Sequence, residues 1–328
     1  MLYIGMIKIA IIGCGRIFHK HFLAINNTKG LKVISVCDID KKKFTSIPSK
    51  IKCFTNINKL FLESDVDLVV ICSPSGLHSE HALLALKYNK HVLLEKPIDV
   101  SYLKALNLVN KFKTRKRKLF VVKQNRFNKT IVFLKKIIEE NRLGKINLVI
   151  SNVLWSRPQK YYDQSSWRGT KKLDGGVILN QSSHYIDLLL WLFGDIKEYN
   201  IIRKKLSRNI QTEDTALLSI FFKNNILANV TMTTLIPLKN YEGSITVIGE
   251  KGLIKVGGQA LNEIVNTINV KYPKNINYKI NDVYGFGHKK IYEEIVKEFK
   301  GITNKAIFAN EGLNSLKFIN DMYRRYKI

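Results

Sequence analysis

"IKIAIIGCGRIF", residues 7–18, decides the fold. Apart from Lys8 the run is apolar from Ile7 to Ile12, and it ends on Gly13 and Gly15. The next stretch, "RIFHKHFLAINNT", has helical spacing. A buried strand that turns on glycine into a helix is the first unit of a sheet built to bind phosphate. The first glycine allows the tight turn, and the second lets backbone N–H groups approach a pyrophosphate at the helix N-terminus. Phe18 stands at the third position of the G-x-G-x-x-G pattern. That departure puts the packing of helix on strand in question, but not the phosphate contact.

The second strand, "LKVISVCDID", brings in Asp38, 23 residues after Gly15. An acidic side chain there accepts hydrogen bonds from an adenosine ribose and repels a 2′-phosphate, which favours NAD over NADP. The alternation continues with strands "VDLVVICSPS", "KHVLLEKP" and "KLFVVKQN" and helices "GLHSEHALLALKYN" and "DVSYLKALNLVNKFKTRK". Strands alternating with helices predict a parallel sheet covered on both faces, a Rossmann-type α/β domain over residues 1–123. After about residue 145 the texture changes. "INLVISNVLW", "EYNIIRKKL", "TALLSIFF", "ILANVTMTTLI", "SITVIGEKGLIKV" and "VNTINVKY" read as strands, interrupted by a helix at about 180–193. Helices at 287–300 and about 311–326 close the chain. The expectation is an α+β domain over 124–328 with an open, mostly antiparallel sheet for substrate and assembly, the C-terminal helix free to pack back on the first domain.

With 328 residues and 45% hydrophobic content, the chain can build sizeable cores. The longest apolar run, "LLLWLF" at 188–193, falls far short of a membrane span. The N-terminus lacks a basic leader and a small-residue cleavage site, and it reads as a first strand rather than a secretory signal. Cys14, Cys37, Cys53 and Cys72 form no C-x-x-C pair. They are expected to be buried, reduced thiols of a cytoplasmic protein, with no metal site. A net charge of +28 admits nucleic acid, an anionic membrane or an anionic small substrate as partner. Lysines are spread throughout, and the one dense run, "KFKTRKRK" at 111–118, sits at a helix end where cations suit the dipole. Neither nucleic acid nor membrane is expected as a partner.

Two clusters carry chemistry. "HVLLEKP", residues 91–97, ends a strand on Glu95 and Lys96 with Pro97 behind them. Ligands of such sheets bind beyond the carboxyl ends of the strands, so Lys96 is expected in the cofactor crevice. Pro97 keeps the residue before it extended. A lysine there can anchor a substrate hydroxyl or, when burial lowers its pKa, exchange its proton. The second cluster is "LDGGVILNQSSHYIDLLLWLFG", residues 173–194. Asn180 and His184 stand four apart, expected on one helix face with Ser183 beside them. Imidazole titrates near pH 6.5 (about), which suits a general base.

"IIGCGRI", "CSPSGLH", "LLEKP" and "DGGVILNQSSHYIDLLLWLFG" together resemble the glucose–fructose oxidoreductase/inositol dehydrogenase (Gfo/Idh/MocA) family over essentially the whole chain. In that family the EKP lysine and the helix histidine act at the sugar carbon being oxidised. Most members carry aspartate four residues before the histidine, where this chain has Asn180, so a Lys–Asp–His proton relay does not carry over whole. "VVKQNRFN", "WRGTKKLDGG" and "PLKNYEGSITVIGEKGLIKVGGQALNEI" are similar to the UDP-N-acetylglucosaminuronate 3-dehydrogenases of that family, where asparagine is the expected residue. Those enzymes act in making diacetamido-uronate sugars of bacterial surface polysaccharides such as O-antigen.

The resemblance implies NAD contacts at Gly13, Cys14, Gly15, Arg16, Ile17, Asp38, Thr55, Ser73, Pro74, Ser75, Gly76, His78, Glu95, Lys96, Gln124, Trp167 and Arg168. For a nucleotide-sugar substrate it implies Lys96, Asn125, Arg157, Tyr161, Asn180, Ser183 and His184, and it implies a homotetramer and, in some members, 2-oxoglutarate as reoxidant. Arg126, Lys239, Asn240 and His288 are further candidates for the substrate. His184 is the first choice as base with Lys96 bonding the alkoxide. The reverse assignment stays open, and Asn180 would orient. A dehydrogenase of another sugar or cyclitol, and a non-catalytic NAD-binding regulator, are the alternatives.

Overall fold

A computed structural model describes residues 5–280 and 285–326. They form two units, Met1–Lys123 with His288–Leu313, and Gln124–Gly287 with Asn314–Ile328. The chain therefore leaves the first unit after Lys123 and rejoins it at His288.

The first unit contains β1 (Ile7–Ile12), α1 (Phe18–Asn26), β2 (Leu31–Cys37), β3 (Lys52–Phe54), α2 (Ile57–Glu63), β4 (Leu68–Ile71), α3 (His78–Lys87), β5 (His91–Leu94), α4 (Tyr102–Thr114) and β6 (Leu119–Val121). All pairings are parallel, in the order β3-β2-β1-β4-β5-β6. The order turns back between β1 and β4, the switch point where such sheets open a crevice. The central strands are apolar without alternation, and Ile9, Ala10, Ile11 and all of β4 are buried. Burial on both faces is what a helix-covered parallel sheet imposes. Phe18 does not disturb the packing: it is buried and stacks on Phe22.

The second unit contains α5 (Lys129–Glu139), β7 (Ile146–Leu154), α6 (Gln159–Asp163), α7 (Ser183–Phe193), β8 (Ile196–Lys204), β9 (Thr215–Phe222), β10 (Leu227–Thr233), β11 (Glu242–Gly249), β12 (Leu253–Gly257) and β13 (Glu263–Ile268). Its sheet runs β13-β12-β11-β7-β10-β9-β8, and only β7 with β10 is parallel. Burial alternates along β9 and β10, so one face is packed and the other is not. Ile202, Leu217 and Leu227 stand on the uncovered face, Ile202 directly opposite Leu217. α8 (Gly287–Phe299) and α9 (Ala309–Arg325) complete the chain. The first turn of α9 belongs to the first unit, where a Cβ at Gly312 would touch Ile98 at 3.0 Å.

Several expectations change. "SITVIGEKGLIKV" is not one strand but the hairpin of β11 and β12, joined across Ile248 and Leu253. β3 and α2 intervene where no element was expected, and α5 buries Ile131, Leu134 and Ile137 at helical spacing. All four cysteines are free, but Cys53 is exposed, because a three-residue edge strand covers only one side of it. Among the described residues no helix is long and apolar enough to cross a membrane.

Gly13 has φ +97°, and a Cβ there would stand 2.6 Å from the carbonyl carbon of Cys72. Gly13→Ala is expected to destabilise the protein by roughly 2–4 kcal/mol, read by denaturant unfolding; a loss under about 0.5 kcal/mol would contradict this packing. His91 accepts the Lys118 N–H and meets Phe299 edge to face, and burial pushes its pKa down to about 4. Its neutral form is the folded one. Its contribution is complete above about pH 6.5 and is lost as the pH falls toward 4. His91→Gln should therefore flatten the fall of Tm over that window, and an unchanged slope would refute the linkage.

Candidate active site

The residues expected around NAD in the first unit sit at the carboxyl ends of consecutive strands. Gly13–Ile17 follow β1, Asp38 follows β2, Thr55 follows β3, Ser73–Gly76 follow β4, and Glu95–Lys96 follow β5. Asp38 Oδ2 accepts the Cys14 N–H at 2.7 Å, and Oδ1 accepts the Asp40 N–H at 2.9 Å. Each oxygen keeps a lone pair for a ribose hydroxyl. A Cβ at Gly15 would meet nothing within 4 Å, so the space over the start of α1 is open. In the second unit, Gln124 is buried and its Oε1 has no hydrogen-bond partner. Within the first unit, an open glycine turn and an acidic residue with spare acceptors fit NAD.

The Lys96–Pro97 dipeptide is gripped at both ends. Glu95 Oε2 accepts the Lys96 backbone N–H at 3.0 Å. On the other side His78, fully buried, lies 2.7 Å by Nδ1 from the Pro97 carbonyl and 2.8 Å by Nε2 from the Ser73 carbonyl. The buried side chain of His78 thus links the β4 and β5 strand ends. The peptide bond before Pro97 is cis. Lys96 itself is half-buried.

In the second unit the site residues fall into two groups. Tyr161 lies between the guanidinium groups of Arg157, 5.3 Å from its ring centre, and Arg168, 4.3 Å away. Arg168 also covers Trp167, and Arg157 covers Trp155 while donating to Asn240 Oδ1 at 3.0 Å. Such stacking holds cations rigidly and leaves their edges available for anionic oxygens. Lys239, beside Asn240, is exposed.

The second group is built on the double glycine. Gly175 has φ +85°, and a Cβ at Gly176 would stand 2.2 Å from Glu213 Oε1, so the turn closes over that buried carboxylate. Glu213 receives the Ile178 N–H and the Tyr323 hydroxyl and faces Arg203 at 3.5 Å. Burial holds its pKa up. This turn delays the helix. α7 begins at Ser183, so Asn180 lies in the preceding turn and does not share a helix face with His184. Asn180 Nδ2 instead donates to Asp174, whose other oxygen accepts the Gly169 N–H at 2.7 Å. An acidic partner thus stands beside Asn180, six residues away rather than at the position itself. Ser183 donates to the Asn180 carbonyl at 3.4 Å, and His184 is half-buried in the first turn of α7.

Arg126 is buried, and Asp187 binds its guanidinium through Nε and Nη2, both at 2.9 Å. That pair ties the Gln124–Phe127 turn, which holds buried Asn125, to α7. His288 lies in the first unit beside Glu95. Asp174, Glu213 and His21, the last hydrogen-bonded to Glu95, escaped the sequence reading. The only hint for Asp174 was its place directly before the double glycine.

Residues 7–123 match the oxidoreductase family, NAD-binding Rossmann fold, and residues 131–255 match the GFO/IDH/MocA C-terminal domain. The WlbA dehydrogenase from Bordetella pertussis, solved in complex with NADH and UDP-GlcNAcA, is 33% identical with a TM-score of 0.93, covering 99% of this chain and 96% of that one. The WlbA dehydrogenase from Chromobacterium violaceum, solved with the same pair, is 37% identical with a TM-score of 0.90, covering 98% and 94%. Glucose-6-phosphate 3-dehydrogenase of Bacillus subtilis is 27% identical over 299 residues, 86% of this chain and 85% of its own. Matched in both its units, and over nearly its whole length by a structure one third identical to it, the chain belongs to the Gfo/Idh/MocA family of NAD-binding oxidoreductases.

Proposed function

We propose that this protein oxidises the C3 hydroxyl of UDP-N-acetylglucosaminuronate to a ketone with NAD. The observation that carries this reading is the likeness to two dehydrogenases solved with NADH and UDP-GlcNAcA, at 33% and 37% identity. The curated relative named for oxidation at position 3 of a phosphorylated sugar supports the same carbon. The chain's own residues agree. A UDP-sugar uronate carries a diphosphate and a carboxylate, and Arg157, stacked on Trp155 and Tyr161, offers a fixed cation of the right kind.

NAD supplies the hydride acceptor. His184 takes the proton of the C3 hydroxyl, and Lys96 Nζ donates a hydrogen bond to the oxygen as it becomes negative. The opposite assignment uses the same two groups. Asn180, held by Asp174, orients the sugar rather than titrating. The grip on Lys96–Pro97 limits how far the ammonium group wanders, and orientation of this kind supplies much of a rate. Reoxidation by 2-oxoglutarate without release of NADH, and a place in surface-polysaccharide sugar synthesis, belong to the same reading. So does assembly as a tetramer, supported by the uncovered sheet face with Ile202, Leu217 and Leu227.

The test is turnover of UDP-N-acetylglucosaminuronate, followed by mass spectrometry with and without 2-oxoglutarate and with glucose 6-phosphate as rival substrate. Loss of two hydrogens from the UDP-sugar is expected. Lys96→Ala and His184→Ala should each lower kcat by about 100-fold or more. Turnover of glucose 6-phosphate alone would move the protein to its other relative's substrate. Two variants within a few-fold of wild type would remove the assigned chemistry.

A further inference from the structure

One carboxylate in the first unit gathers more partners than a turn requires. His21, wholly enclosed on α1, places Nε2 2.9 Å from Glu95 Oε1 and Nδ1 2.7 Å from the Tyr292 hydroxyl. His288, at the start of α8, lies 3.5 Å by Nε2 from the same oxygen, its ring edge to face with His21 at 5.1 Å. The other oxygen, Oε2, holds the Lys96 backbone N–H. Glu95, His21 and His288 are all buried.

The proton inventory follows from chemistry. An ionised carboxylate only accepts, so His21 Nε2 is the donor; its Nδ1 then accepts, and Tyr292 donates to it. That arrangement is a neutral imidazole, and burial pushes the pKa of His21 down in keeping with it. Burial alone would raise the pKa of Glu95, but the hydrogen bond from His21 and the close approach of the His288 ring outweigh it and leave the carboxyl well below its usual range. The Glu95 carboxylate is therefore held ionised directly beside Lys96. The same three side chains have the donor types of a metal site. Their spacing argues for a shared proton instead. Ligands around one tetrahedral zinc would stand roughly 3.3 Å apart, whereas His21 and Glu95 are at 2.9 Å, an ordinary charge-assisted hydrogen bond.

We propose that Glu95, held between His21 and His288, is the positioning residue of Lys96: its ionised carboxylate fixes the Lys96 backbone and so the direction of its side chain. This rests on Lys96 acting at the substrate hydroxyl. Glu95 touches neither the reacting carbon nor its oxygen in this account; it works through its neighbour, and His21 and His288 work through Glu95.

The experiment is a double-mutant cycle on the NAD-loaded full chain. Glu95→Gln keeps the shape and an acceptor oxygen but removes the charge. It should lower kcat about tenfold or more while KM for the UDP-sugar changes less than about threefold. In a Lys96→Ala background the same change should cost less than about twofold, because the group it positions is gone. Equal losses in both backgrounds would overturn the proposal, since a merely structural role acts whatever stands at 96. Should Glu95→Gln fail to fold, His288→Gln replaces it, with a smaller loss and the same non-additivity expected. One zinc per chain in the purified protein, lost on Glu95→Gln, would overturn the proposal in favour of a metal site. Wild-type turnover by Lys96→Ala alone would defeat the reading of Lys96 and this inference with it, whereas additivity defeats only the inference.

Discussion

The close approach of the β1 turn to the end of β4 is the constraint on which the rest of the first unit depends. With Gly13 at φ +97° and no room for a Cβ against Cys72, the turn can close only on glycine. That closure puts the Cys14 N–H against Asp38 and leaves open space at Gly15 where α1 begins. The strands then deliver their carboxyl ends to one edge of the sheet, and the first-unit residues expected to hold NAD lie along it. Nothing about this edge requires many charges. It requires backbone that can come close, and a few acceptors already tied down.

Around Lys96 the protein uses two opposite devices on one dipeptide. A carboxylate takes the N–H before the proline, and an imidazole reaches the carbonyl after it. Both side chains are buried, so these hydrogen bonds are made in a medium where losing one is costly. The apolar strand thus ends on a glutamate that is buried among its partners and a lysine that stays half-buried. The double glycine of the second unit is governed by the same logic of close approach: Gly176 lies against Glu213, and the buried carboxylate sets where the turn ends and α7 begins.

Much of this was legible from the chain alone because it is local. Glycine after a strand, an acid at the end of the next strand, and unbroken apolar runs alternating with helical spacing each reflect forces acting within a few residues. α5, with Ile131, Leu134 and Ile137 at helical spacing, lies in a stretch to which no element was assigned. What could not be read is set by distant partners. His21 and His288 meet at Glu95 from opposite ends of the sequence, and no pattern in either segment marks them. Asp174 accepts from Asn180 across six residues, and α7 starts later than expected where Glu213, far along the chain, accepts the Ile178 N–H and closes a turn. Arg126 was a candidate contact for the substrate; Asp187 engages it in the interior.

The most direct measurement of the central claim is the fate of the C3 hydrogen. UDP-N-acetylglucosaminuronate carrying deuterium at C3 would be incubated with the protein and NAD, and the nicotinamide and sugar fractions analysed by mass spectrometry. Deuterium on the nicotinamide ring and its loss from the sugar are the predicted result. Retention of the label in an unchanged sugar, with the protein folded and NAD bound, would contradict the account.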